Sequence, residues 1–185
     1  KDYEPDSQTE MAIQFIKDAC LKDAPFALFL SWGPPHDPWH TENVPAEYAD
    51  IFKDIDIPLR PNYSAEQDPH ADAWGNMGEG YANKLKDNMR GYYAQTANID
   101  WNLGKIMKAI DQLGIAEDTI LVFTSDHGEM FGSHGRRAKN IFYEESCHVP
   151  FLLSWSEENF TKPTTDICLN TPDIMPTILS LMNLP

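Results

Sequence analysis

Apolar and polar positions follow several distinct patterns along this chain. Between residues 7 and 22, Met11, Ile13, Phe15, Ile16, Ala19 and Cys20 form a roughly helical stripe, which predicts a helix. Ala24 to Ser31, APFALFLS, is almost wholly apolar and short, the pattern of a strand buried on both faces in a parallel sheet. The character then changes to WGPPHDPWH, where Gly33, Pro34, Pro35 and Pro38 stop any regular element. Residues 41–82 show no period. They are broken by prolines and glycines, and loops of such length usually carry function.

The clearest helix is expected over 83–113, where Leu103, Ile106, Met107, Ile110 and Leu113 recur at helical spacing and Gly114 ends the run. Thr119 to Thr124 and Val149 to Trp155 read as two further strands. A last helix runs from Thr171 to Leu181, with Thr171 as its cap and Pro172 in its first turn. Helix and strand in alternation predict an α/β domain with a mostly parallel sheet flanked by helices. In such sheets ligands bind beyond the carboxyl ends of the strands. Two expected strands end directly in polar clusters, which places His36, Asp126 and His127 on one rim.

Length and composition narrow the picture. One domain is expected from 185 residues, and 42% apolar content supports a real core. No apolar run is long enough to span a membrane. The formal net charge of −15 argues against nucleic acid as a partner, since phosphate binding needs a basic face. Cys20, Cys147 and Cys168 are widely spaced with no CxxC pair, so a zinc ribbon is not indicated. They are expected as buried free thiols, with one disulfide open. The chain opens on Lys1 with no signal segment, so trimming at both ends is expected.

The candidate chemistry gathers in three places. Asp126 and His127 sit on a post-strand turn that Gly128 allows to bend, and can present two ligands to one cation. His134, Arg136, Arg137 and Lys139 form a local cationic cluster in an acidic chain, and Lys139 is the member most suited to reach inward to an anion. His36, in a proline-stiffened turn, can give a proton to a leaving oxygen. His40 follows four residues later, but no helix spans the two. His70 and His148 are read as structural, and Trp32 and Trp39 as core rather than as pocket walls. No GxSxG elbow or phosphate loop is present to supply a nucleophile.

Taken together, LFLSWGPPHDPW, the stretch from GYYAQTANIDW through TSDHGEMFGSHGRRAKNIFYEESCHVPFLLSW, and TPDIMPTILSLMNLP resemble the sulfatase branch of the alkaline phosphatase superfamily. The resemblance implies that residues 1–185 are part of an alkaline phosphatase-like catalytic domain, with 41–82 a long irregular insertion on the substrate side. It implies sulfuric ester hydrolysis, with Asp126 and His127 as metal ligands. Lys139 and His36 become catalytic and substrate-binding residues, and the cationic cluster adds His134 and Arg136 as expected substrate-binding residues. The implied metal is a divalent cation: Ca2+ first, with Mn2+ or Zn2+ open because many members carry Asn where His127 stands. A formylglycine nucleophile is implied in a segment upstream, and a small C-terminal subdomain beyond Pro185. The implied substrate is a sulfated small molecule or glycan, and the implied compartment periplasmic or secreted. The alternatives are a phosphodiester or phosphonate monoester hydrolase of the same superfamily, and an isolated chain that is catalytically inert.

Overall fold

The structure, a computed structural model, describes residues 3–22, 24–155 and 167–184. Its backbone is helical far more than extended. Helix α1 (Glu4–Cys20) carries Pro5 and two acidic residues in its first turn, where an absent N–H and negative charge both suit a helix start. It lies against α4 (Leu85–Gln112), the longest element at 28 residues. Ala12 and Ile16 of α1 meet Ile106 and Ile110 of α4 in one buried cluster, each pair one helical turn apart. The buried stripe of α1 is Pro5, Thr9, Ala12, Ile16 and Ala19, whereas Met11 and Phe15 of the expected stripe face solvent. Between the two helices the Asp6 carboxylate accepts hydrogen bonds from Asn98 Nδ2 at 3.1 Å and Asn102 Nδ2 at 2.8 Å, so both buried amide nitrogens are engaged.

The segment read as irregular contains two short helices, α2 (Ala46–Phe52) and α3 (Gly78–Asn83). Arg90 of α4 holds α2 in place: its Nε donates to the Phe52 carbonyl at 3.0 Å and its Nη2 to that of Ile55 at 3.2 Å. A second buried cluster joins Ile57, Leu85, Met89 and Phe131, with Trp39 and Tyr92 packed against it. It ties the 33–40 turn and the loop after residue 124 to the first half of α4.

The sheet corrects the α/β expectation of a mostly parallel sheet flanked by helices. Among the described residues it has two strands, β1 (Leu121–Thr124) and β2 (Phe151–Ser154), paired antiparallel with Leu121 opposite Ser154 and Thr124 opposite Phe151. Their connection contains one short helix, α5 (Glu144–Cys147). A parallel return needs a crossover of a dozen or more residues, usually a helix laid along the sheet. Here the chain instead makes a looped excursion and comes back alongside itself. Residues 25–32 belong to no strand, and Phe29 is 95% exposed; only Leu30 and Trp32 pack on the first cluster. An apolar run expresses a preference for burial but does not supply the neighbouring strand that makes a ladder.

The last helix, α6 (Thr171–Leu181), has its predicted span, but its cap is Asn170, not Thr171. Asn170 and Asp173 form a reciprocal capping box, with the Asn170 N–H 2.8 Å from Asp173 Oδ2. The three cysteines are free as expected, yet all are exposed rather than buried.

Candidate active site

Two loops bring the candidate residues together. The first, residues 33–40, is folded on itself by the Trp39 indole N–H, which donates to the Pro35 carbonyl at 2.7 Å. Gln95 of α4 fixes it from below, donating to the Pro38 carbonyl at 2.9 Å. Gly91 lets the turn lie directly on the helix, because any Cβ there would collide with the Trp39 carbonyl. His36 is left on the rim with its side chain half exposed.

The second loop runs from β1 to α5. Ser125 Oγ donates to the His127 carbonyl at 2.8 Å, and Asp126 Oδ1 accepts the His127 N–H at 3.0 Å, a tight polar turn at the strand end. The Gly128 and Glu129 N–H groups donate to the carbonyls of Ser146 and Glu145, both at 2.8 Å. A Cβ on Gly128 would strike the Glu145 carbonyl. Glu129 closes the loop by accepting the Ala138 N–H at 2.6 Å. Burial pushes its carboxyl above the usual range against the pull of that hydrogen bond and of the Lys139 charge. Ser146 Oγ donates to the Lys139 carbonyl, so the backbone that carries Lys139 is pinned on both sides.

The loops meet where Lys139 Nζ lies 2.6 Å from His36 Nε2. An ammonium has only donors, so Nε2 accepts and the ring proton sits on Nδ1. Asp37 Oδ1 is 2.6 Å from that Nδ1 and receives the proton's hydrogen bond. The His36 and His127 rings stand 5.9 Å apart at 73°. His127 Nδ1 donates to the Gly128 carbonyl at 2.8 Å, which leaves the Nε2 lone pair free, 3.5 Å from Asp126 Oδ2. One carboxylate oxygen and one imidazole nitrogen thus lie side by side, donor types that fit a divalent cation. No group of three or more His, Cys, Asp or Glu side chains that could hold a metal occurs among the described residues.

His134 and Arg136 stand apart from this pair. His134 stacks on Tyr143 with centroids 4.1 Å apart and an interplanar angle of 16°, and its Nε2 is 3.2 Å from Asn62 Nδ2. Arg136 is 4% exposed and donates to Asp68 Oδ2 at 2.6 Å. The His70 N–H and the Arg136 guanidinium hold the Asp68 carboxyl below its ordinary range. Arg137 donates to the Trp74 carbonyl and lies over the Tyr81 ring. His134 and Arg136 line a separate open cleft of about 720 Å³, whose walls include neither His36 nor Lys139. His70, read as structural, lines that cleft too, while His148 pairs with Glu144 at 2.8 Å. Trp39 packs in the core as expected. The sequence reading passed over Asp37, although it directly follows His36. It also passed over Asn62, for which a separation of 72 residues from His134 leaves no local signal.

A cationic donor thus lies beside one imidazole, and that imidazole lies next to a second one that neighbours a carboxylate. The chain belongs to the sulfatase family, whose profile matches residues 1–184. It is 32% identical to the ulvan-active sulfatase of Formosa agariphila over 98% of this chain and 33% of that protein. It is 31% identical to the endo-4-O-sulfatase of Bacteroides thetaiotaomicron over 100% of this chain and 34% of that one. The fold also matches the phosphonate monoester hydrolase of Agrobacterium radiobacter, with a TM-score of 0.77 at 24% identity over 96% of this chain and 38% of that structure. The chain therefore spans about a third of the length of the curated relatives it matches.

Proposed function

We propose that the protein containing this chain is a sulfuric ester hydrolase acting on a sulfated small molecule or glycan. The meeting of Lys139 with His36 beside His127 is the observation that supports this reading. Lys139 balances the charge of the sulfate oxygens, and His36 gives a proton from Nε2 to the departing alcohol. That proton reaches Nε2 from solvent once the substrate oxygens draw the Lys139 ammonium away from it, 2.6 Å in the free pair, so Lys139 keeps its charge while Asp37 at Nδ1 balances the protonated ring. Asp126 and His127 are two ligands of a divalent cation, Ca2+ first and Mn2+ or Zn2+ as alternatives, whose chemistry is to neutralise the anion further. His134 and Arg136 line the neighbouring cleft, where the rest of the substrate is held. The nucleophile, a formylglycine in the family resemblance, lies outside these residues, as do the remaining metal ligands. A periplasmic or secreted site of action follows from the same resemblance; no helix among the described residues is long and apolar enough to cross a membrane.

The full-length protein assayed on matched aryl sulfate, aryl phosphate and phosphonate esters tests this. Sulfate turnover that leads the others supports it. A leading phosphonate or phosphodiester rate installs the alternative that the imidazole at His127 leaves open, since calcium prefers oxygen ligands.

A further inference from the structure

The cleft beside the His36–Lys139 pair is built by two walls, the 64–72 segment and the 134–143 segment. Backbone bonds stitch them together: the Ser64 N–H donates to the Gly132 carbonyl at 3.1 Å, the His134 N–H to that of Asn62 at 2.9 Å, and the Asp68 N–H to that of Gly135 at 3.3 Å. The walls are thus preformed, so little ordering cost remains for a ligand. Asn140 and Ile141, which directly follow Lys139, line this space, so the cleft adjoins the backbone that carries the lysine.

The charges in the walls select what can enter. Arg136 is neutralised by Asp68 at 2.6 Å and buried, and among the described residues its Nε has no hydrogen-bond partner. Among the described residues no cation pairs with Glu66 or Asp72. Asp72 uses Oδ1 for the Gly75 N–H at 2.7 Å and keeps Oδ2. The cleft thus offers carboxylate acceptors with a net negative field, a poor place for a second anion and a good one for hydroxyl donors.

We infer that this cleft takes an uncharged, hydroxyl-rich sugar of the ester's alcohol portion, and that Glu66 and Asp72 discriminate against a neighbouring sulfate or carboxylate there. This rests on the sulfuric ester reading above. It makes the substrate class a sparsely sulfated, otherwise neutral glycan.

The test uses the full-length protein and two disaccharides that share one scissile sulfate, one with a neutral second sugar and one with that sugar sulfated again. The expected kcat/KM favours the neutral substrate by about tenfold or more. In Glu66→Gln/Asp72→Asn that ratio narrows by about threefold or more, and being a ratio it does not depend on how much variant is folded. Equal rates on the two substrates, or a ratio the variant leaves unchanged, would overturn the inference. If neither disaccharide nor 4-nitrophenyl sulfate is turned over, the sulfuric ester reading fails instead. Calorimetric titration of the unsulfated disaccharide then decides the cleft: binding that weakens in the double variant supports it, and absent or unaltered binding ends it.

Discussion

Lys139 Nζ and His36 Nε2 lie 2.6 Å apart although 103 residues separate them in sequence. Lys139→Ala and His36→Gln in the full-length protein are each expected to lower kcat on an aryl sulfate by roughly 100-fold or more, the scale of losing a preorganised charge or a proton donor. Near-normal rates in both variants would remove the site assignment.

Asp37 acts through His36. Asp37→Ala is expected to lower kcat by about tenfold with little change in KM, since it touches no substrate. Asp37→Asn keeps an acceptor for the Nδ1 proton and should recover part of the rate. Nitrogen NMR of selectively labelled histidine should show the Nδ1–H tautomer of His36 in the parent protein and a mixture in the alanine variant.

Asp126 and His127 form a pair and not a full coordination shell among the described residues. Chelation should abolish activity of the full-length protein, and Asp126→Asn should raise the metal concentration needed for half-maximal activity by about tenfold or more. Residues 1–185 by themselves should show no turnover; robust turnover by a purified preparation would refute this division of the site.

Two glycines of α4 give opposite forecasts. Gly91→Ala drives a methyl into the Trp39 carbonyl and should cost about 1–3 kcal/mol, read as a lower thermal midpoint. Gly104 has open space around its Cβ position, so Gly104→Ala should stabilise by roughly 0.5–1 kcal/mol through helix propensity alone.

Asp68 gives a pH signature. Its folded carboxyl lies below 3.8, held there by the His70 N–H and Arg136. The unfolded chain therefore binds that proton more readily, and the stabilisation is fully present above the unfolded value and lost as pH falls through the folded one. Thermal midpoints of the parent and of Asp68→Asn should differ most near neutral pH and converge as the pH drops below 3.8. A constant gap would sink the ion pair as a source of stability.

Much of this was legible locally. Helix α4 follows from apolar spacing and its Gly114 stop, helix α6 from Pro172 in its first turn although its cap lies one residue before Thr171, and the strand-end turns that carry Asp126 and His127 from a β-rich run meeting polar residues and glycine. Pairing was not legible. The direction of β2 depends on how residues 125–150 fold between the strands, and the ladder expected for residues 24–31 depends on a neighbour that no local pattern encodes. The cationic cluster divided for a similar reason: Arg136 finds Asp68 across 68 residues, and His134 finds Asn62 across 72, so composition grouped four cations that the fold sorts into separate tasks.

The Trp39 and Phe131 rings, 4.9 Å apart, give the site a common footing. Trp39 sits three residues after the histidine of the first loop, and Phe131 eight residues before the lysine of the second; both rings rest on the same stretch of one helix. His36 and Lys139 are therefore indexed to a single rod. A volume change at Met89 or Leu85 should retune the gap between them, and a directed search for altered rates has reason to begin beneath the two loops.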